Sequence, residues 1–286
     1  MHTRGCEKTG KIFLPVCALL LLLPVLFFLL LYGAENWGRQ LSALAVRRHF
    51  AGWQERETDY FKIRYPAAEA EAVSWLAPVA DEAARQVKKY LPFEGGKPWL
   101  AIAGSQSAIQ KVFGWGEGMG VLGVYKAETI VLLSPSAWQG KDGQEKLAAF
   151  YAANPLVHEY THYVLEKRAG GGYPRWFSEG LASLLQYFAT GFEWVEEGST
   201  LRHGNYSIAE LERDFDLLPD QALAYRQALS KVCYLFELQG MEGINRLIDY
   251  LAAGIPFWRT MEKVYGTGRK AFYFHWQQWY PESMFW

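Results

Sequence analysis

Cysteine is scarce in this chain, and neither sign of charge is in excess. Only Cys233 of the three cysteines lies beyond the apolar N-terminal region, which argues against an intramolecular disulfide framework. The formal net charge is −1 and no basic run is present, so we expect no nucleic-acid partner. Internal repeats are also lacking. The 286 residues are enough to bury a substantial core.

One long apolar run stands out near the N-terminus. Residues 12–32 (IFLPVCALLLLLPVLFFLLLY) carry no charge, and as a helix these 21 residues would span about 31 Å, close to the hydrocarbon thickness of a bilayer. We therefore predict an uncleaved transmembrane anchor. A cleaved signal peptide is the alternative, but its apolar stretch should be only about 7–15 residues long. Cleavage after Ala34 would also place the bulky Tyr32 where a small residue is needed.

Basic residues on both sides of the run bear on its orientation. Three precede it and three follow it: Arg4, Lys8 and Lys11, then Arg39, Arg47 and Arg48. The first group favours a cytoplasmic N-terminus over residues 1–11, and the second group weakens that preference. We predict a single-pass protein of the cell membrane whose folded domain is extracytoplasmic. Residues 33–57 are interpreted as a juxtamembrane linker or helix.

Hydrophobic periodicity divides the remaining chain into two parts. Residues 59–66 (DYFKIRYP) alternate apolar and polar side chains and predict a strand. Two β-rich runs at 119–125 and 129–135 are separated by the three residues KAE (126–128), which is typical of a hairpin. From Gln144 onward the patterns are nearly all helical. We expect an α+β domain over 58–286, with a mixed α/β N-terminal part containing a small sheet and an edge-strand hairpin, and a mostly helical C-terminal part.

The segment NPLVHEYTHYVL (154–165) contains the pattern H-E-x-x-H. Asn154 followed by a proline predicts a helix start with a side-chain cap, and the glycines at 170–172 predict its end. His158 and His162 are four residues apart, so both imidazoles project from one face of the helix. Glu159 lies beside them, where a carboxylate is able to act on a water molecule held by a bound metal ion. An ordinary polar patch on a surface helix is the alternative.

A third metal ligand is required for a catalytic zinc site. The segment YPRWFSEGLASLLQYF (173–188) predicts a largely buried helix in which Glu179 interrupts apolar residues. A buried carboxylate is unfavourable unless it is paired or binds a metal. The small residues after it predict a close approach to the first helix, and Ser183 is a candidate hydrogen-bond partner or a packing residue. Glu179 as a half-exposed residue near a helix start remains the alternative.

HEYTH followed by PRWFSEGLA resembles the gluzincin metallopeptidases of the peptidase MA-like families. Their signature is H-E-x-x-H and then W-x-x-E-G-x-A, whose glutamate is the third zinc ligand. The resemblance covers about 58–286 and is specific only in these two segments. It implies one Zn²⁺ ion per chain bound by His158, His162 and Glu179, with Glu159 as general base, in a cleft between the strand-containing and helical parts.

The resemblance also implies an oxyanion donor beyond the third ligand. Tyr225 fits best because it begins a helix in the matching segment, and Tyr206 and His203 are alternatives. The strand at 119–125 is expected to bind an extended substrate through its main chain. Its glycines are equally consistent with a bulge or a bend. The substrate-binding residues predicted there are Gly120, Val121, Leu122 and Gly123.

The resulting hypothesis is a membrane-anchored, zinc-dependent peptidase acting on peptides or proteins. Endopeptidase activity is slightly preferred, because no G-x-M-x-N-like element that would hold a substrate α-amine precedes the motif. A catalytically inactive, membrane-tethered binding domain of the same fold is the alternative. A scaffold protein in which the two histidines are incidental is a third interpretation.

Overall fold

A computed structural model describes residues 43–116, 120–138, 143–201 and 204–280. The chain divides into two compact units, Met1–His49 and Phe50–Trp286. In the first unit, residues 43–48 are helical, whereas the predicted anchor at 12–32 lies outside the described residues. In the part of the chain that the structure describes, no helix combines the length and the apolar character that a membrane span requires.

Five strands of the second unit form one mixed sheet. They are β1 (Gln54–Glu57), β2 (Lys62–Tyr65), β3 (Trp99–Ala103), β4 (Gly123–Lys126) and β5 (Thr129–Leu133). Their order is β1-β2-β3-β5-β4; β2, β3 and β5 are parallel, while β1 and β4 pair antiparallel at the two edges. Every residue of β5 is buried, as expected for a strand that is covered on both faces.

The predicted edge-strand hairpin is confirmed, but its first strand is shorter than expected. Ala127 and Glu128 form the two-residue connection between β4 and β5, and both have the positive φ angles, 49° and 62°, that a tight hairpin turn requires. β4 begins at Gly123 rather than at residue 119. Both main-chain polar groups of Val121 are bonded instead to the side-chain amide of Gln106, at 2.7 and 3.2 Å. Val121 therefore lies outside the ladder, whereas the carbonyl of Leu122 still accepts a hydrogen bond from the N–H of Leu133 in β5.

Nine described α-helices complete the second unit. They are α1 (Ala70–Tyr90), α2 (Gln106–Phe113), α3 (Gly143–Ala153), α4 (Pro155–Ala169), α5 (Arg175–Thr190), α6 (Ile208–Arg213), α7 (Gln221–Ala252), α8 (Phe257–Tyr265) and α9 (Arg269–Trp279). α7 consists of two helices separated by non-helical backbone at Gln239 and Gly240. All described elements after β5 are helical, which confirms the α+β class and its division into two parts.

The start of α4 differs from the prediction. Asn154 does precede the helix, but its side chain makes no capping hydrogen bond and its backbone is left-handed, with φ 36° and ψ 66°. The reason is that α3 continues to Ala153, so this single residue must turn the chain from one helix into the next. The predicted end of α4 is confirmed, because Gly170 caps the helix with φ 70°.

The small residue Gly180 of α5 allows close packing on α7, whereas the prediction was a close approach to α4. A Cβ atom on Gly180 would lie 2.3 Å from the carbonyl oxygen of Ala228, which belongs to α7. The absent side chain therefore permits close packing of α5 on α7 rather than on α4. Trp176 and Phe177, one turn earlier, are fully buried. They hold α5 in the core and position the polar residues that follow.

Candidate metal site

Two helices bring three potential ligands together. His158 and His162 of α4 and Glu179 of α5 each offer one ligand atom, and these atoms all lie within 4.8 Å of one another. Nε2 of His158 is 3.1 Å from Oε2 of Glu179, and Nε2 of His162 is 3.4 Å from Oε1. All three side chains are at least largely buried. The predicted convergence of two imidazoles on one carboxylate is therefore present.

The ring nitrogens that face away from this centre have partners of their own. Nδ1 of His158 is 3.2 Å from Oε1 of Gln186, and Nδ1 of His162 is 2.8 Å from the hydroxyl of Ser178. Both partners come from α5, and both are buried. Outer hydrogen bonds of this kind orient the imidazoles that bind metals in proteins. Ser183, for which the sequence left open a hydrogen-bonding or a packing role, bonds to neither ring.

A guanidinium group adds a positive charge beside Glu179. Arg175, one turn earlier on α5, places Nη1 2.6 Å from Oε1 of Glu179 and its Nε 3.2 Å from Asp216. Burial opposes ionisation of Glu179, but the charges of His162 and Arg175 hold the pKa of this carboxyl well below its usual range. Despite these contacts, Oε1 accepts no hydrogen bond of regular geometry from any described residue. A buried carboxylate oxygen in this situation is suited to a cation.

The side chain of Glu159 extends from α4 towards the edge strand β4. Burial raises the pKa of its carboxyl, and none of the described residues donates a hydrogen bond to it. A Cβ on Gly123 would be 2.9 Å from Cγ of Glu159, so the β4 backbone approaches this side chain as closely as only glycine allows. Gly123, chosen from sequence as a substrate-binding residue, is thus adjacent to the proposed base.

Of the three oxyanion candidates, only Tyr225 is seen in the described residues beside a predicted metal ligand, His158. Its ring lies 6.4 Å from that of His158, nearly parallel to it, and its hydroxyl makes no hydrogen bond with any other described residue. Burial and the charge of Glu179 raise its pKa well above the usual value. The hydroxyl of Tyr206 instead accepts from the backbone N–H of Asp220 at 2.9 Å, and His203 lies outside the described residues.

The other residues chosen for substrate binding are only partly available. Gln106 occupies the N–H and C=O groups of Val121, and the carbonyl of Leu122 accepts a bond from Leu133 at 2.9 Å. Gly120 precedes these residues outside the sheet. A substrate that pairs with this edge must therefore use Gly123 and the strand beyond it, rather than Val121.

The donor set fits a divalent metal ion. A tetrahedral zinc ion with bonds of about 2.0–2.1 Å needs neighbouring donor atoms roughly 3.3 Å apart. The two imidazole nitrogens lie 3.1 and 3.4 Å from different oxygens of Glu179, and one ligand atom from each of the three residues lies within 4.8 Å of the other two. Two imidazoles and one carboxylate also match the ligand types of catalytic zinc sites, in which a fourth position stays open. His158, His162 and Glu179 together could hold a metal ion.

Comparison with known proteins supplies no family for this chain. No known protein family has a sequence profile that matches it, and no curated protein matches it either. The resemblance to gluzincins therefore rests on the two short segments and on the site geometry.

Three polar residues of the site were not predicted from the sequence. Arg175, Ser178 and Gln186 all belong to α5 and lie four residues before, one before and seven after Glu179. The positions four before and seven after share a helix face with Glu179. That spacing is the signal that identifies Arg175 and Gln186, whereas Ser178 has no comparable signal.

Proposed function

We propose that this chain is a zinc-dependent peptidase of the gluzincin type. The observation that carries the proposal is the convergence of His158, His162 and Glu179, with Glu159 on the same helix as the two histidines. The donor types favour zinc over magnesium or calcium, which prefer oxygen ligands. One ion per chain is expected.

The proposed chemistry depends on the three metal ligands and on Glu159. His158, His162 and Glu179 would hold a zinc ion, which would act as a Lewis acid that lowers the pKa of a water molecule and polarises a substrate carbonyl. Glu159 accepts the proton of the attacking water and delivers it to the leaving amine. Its raised pKa, caused by burial, suits a group that must both take and release a proton.

Tyr225 is the proposed donor to the oxyanion. Its ring stands beside His158, and its hydroxyl is not committed to any described residue. Because its pKa is raised, the phenol stays protonated and is able to donate a hydrogen bond to the oxyanion. The edge strand β4 would align an extended peptide beside Glu159, with Gly123 permitting the close approach.

We further propose that the apolar run at 12–32 anchors this peptidase in the cell membrane, with the second unit outside the cytoplasm. The basis is its length and lack of charge, together with the basic residues that precede it. Peptides or proteins in that compartment would be the substrates. No feature of the sequence suggests a nucleic-acid partner.

The substitution Glu159→Gln tests the function. We expect the variant to bind one zinc ion while peptide hydrolysis falls by a factor of at least about 100, because the amide cannot accept the proton. Zinc content and cleavage of a peptide mixture, with and without a chelator, are the measurements. Glu166→Gln, two turns later on α4, is the matched control and should keep its activity.

Three outcomes separate the interpretations. Chelator-sensitive cleavage that Glu159→Gln abolishes supports the peptidase. Stoichiometric zinc without any cleavage by the wild-type protein would instead indicate the inactive binding domain. If the protein binds no zinc at all, the histidine pair is incidental and the proposal is wrong. Peptides with blocked and free N-termini distinguish endopeptidase from aminopeptidase action.

A further inference from the structure

Gln186 connects three helices through its side-chain amide. Its Nε2 donates to the carbonyl of Ala153, the last residue of α3, while its Oε1 lies 3.2 Å from Nδ1 of His158 on α4. Gln186 itself belongs to α5 and is only 7% exposed. The carbonyl at the end of α3 has no partner within that helix, so the amide satisfies it.

The orientation of this amide is determined by its partners. A carbonyl oxygen only accepts hydrogen bonds, so the group that faces Ala153 must be the NH₂ end. The opposite end, which faces His158, is therefore the oxygen. A reversed amide would place two acceptors against each other at Ala153 inside a buried contact.

The protonation of His158 at one nitrogen follows from that orientation. An amide oxygen carries no hydrogen, so Nδ1 of His158 must be the donor in this contact. In the neutral imidazole, a proton on Nδ1 leaves the lone pair on Nε2. Nε2 is the atom that lies 3.1 Å from Glu179, at the centre of the candidate site.

His162 lacks an equivalent constraint. Its Nδ1 is bonded to the hydroxyl of Ser178, and a hydroxyl either donates or accepts. Ser178 is therefore compatible with both tautomers of His162. Of these two outer contacts, only that of Gln186 dictates which nitrogen of its histidine carries the proton.

We propose that Gln186 is a positioning residue that holds the Nδ1–H form of His158 and so presents Nε2 to the metal. This inference rests on the proposed function, because the tautomer matters only if a metal binds there. The partner is a neutral amide rather than a carboxylate. It therefore orients the ring without the increase in imidazole basicity that a carboxylate partner supplies.

The test compares zinc affinity in the full-length chain and its variants, measured by competition with a chromophoric chelator. Gln186→Leu removes both contacts and should weaken zinc binding by about 10–100-fold. Gln186→Glu keeps an acceptor towards Nδ1 of His158 and should restore the zinc affinity, although its second oxygen faces the carbonyl of Ala153 and should lower stability. Gln227→Leu is the matched control, since Gln227 is fully buried and both ends of its amide bond to the backbone of Tyr206.

A second readout reports the tautomer directly. Long-range ¹H–¹⁵N correlation spectra of histidine-labelled protein should show His158 protonated at Nδ1 in the zinc-bound wild type, with its signals assigned by their loss in His158→Gln. Gln227→Leu should lower stability without altering this pattern or the zinc affinity. A purely structural role for Gln186 predicts that Gln186→Leu behaves in the same way.

The two proposals fail in different ways. If the wild type binds zinc and Gln186→Leu binds it equally well, the positioning role is wrong while the metal site stands. A proton on Nε2 of His158 in the zinc-bound wild type would also overturn the inference. Absence of stoichiometric zinc from the wild type would overturn the proposed function itself, and the metal-presenting role with it.

Discussion

Two ionisable side chains are buried on neighbouring helices, and their surroundings are opposite. Glu179 of α5 is 1% exposed and Lys231 of α7 is 0% exposed. The carboxylate of Glu179 has the two histidines and Arg175 around it. Nζ of Lys231 has no hydrogen-bond partner among the described residues and lies over the ring of Trp276, 3.1 Å from its centroid.

The difference shows when a buried ionisable group indicates a site. The positive charges of His162 and Arg175 keep the pKa of Glu179 well below the usual range. Glu179 therefore stays ionised and available to a cation. Burial alone drives the pKa of Lys231 well below its usual value, and the indole face offers a cation–π contact but no acceptor. We therefore interpret the Glu179 cluster as functional and the Lys231 amine as a cost to stability.

Gly180→Ala should have the largest effect because it disturbs both regions at once. The new methyl group would lie 2.3 Å from the backbone oxygen of Ala228 and would force α5 away from α7. We expect the free energy of unfolding in urea to fall by about 3 kcal/mol, with weaker zinc binding. Ser183→Ala, on the same helix, is the control and should change little. Unchanged stability in Gly180→Ala would show that α5 and α7 are less closely packed.

Lys231→Met should have the opposite effect on stability. The thioether side chain fills similar space without a buried amine, so the free energy of unfolding at pH 7 should rise by about 1–3 kcal/mol. Zinc affinity should not change. A loss of stability in this variant would mean that the amine has a partner or a role, and the comparison with Glu179 would fail.

The pH dependence of stability tests the same residue. The unfolded state binds more protons than the folded state from the lowered pKa of Lys231 up to about 10.4, so stability should increase with pH in that window. Lys231→Met should show a smaller increase. Burial raises the pKa of Tyr273, whose ring centroid is 5.2 Å from Nζ of Lys231, and so moves its titration away from the pH range measured. Urea denaturation at pH 7, 8 and 9 is the measurement, and equal slopes would contradict the assignment.

Ser178→Ala should have the smallest effect, and only zinc affinity should change. Removing the hydroxyl leaves Nδ1 of His162 without its 2.8 Å partner, and we expect zinc affinity to fall about 10-fold. Stability without metal should stay close to that of the wild type. If zinc affinity is unchanged, the hydroxyl does not orient the ring. Together with Lys231→Met, this variant separates effects on binding from effects on folding.

Much of the secondary structure was predictable from local patterns. The alternation before Pro66, the apolar run of β5 and the glycine after α4 each act within a few residues, so the corresponding elements form where they were expected. The prediction was wrong where a neighbouring element decided the outcome. Asn154 does not cap α4, because α3 extends to the adjacent residue.

The candidate site was predictable to the extent that helical spacing defines it. The spacing of His158 and His162 places both on one face of α4, and the apolar residues that flank Glu179 in the sequence indicate that it is buried. Gln186 and Arg175 were missed because glutamine and arginine also occur on solvated helix faces. Their roles depend on the partners that α3, α4 and the Phe215–Leu217 turn bring to them.

By itself, the sequence determined which helices form and which face of each carries the imidazoles and the carboxylate, because both depend on the short-range geometry of a single helix. Only the tertiary structure decided that the two faces meet with donor atoms 3.1 and 3.4 Å apart, and that Gln186 rather than Ser183 bonds to His158. Those distances depend on how closely α5 packs on α4 and α7, and residues far apart in the chain set that packing.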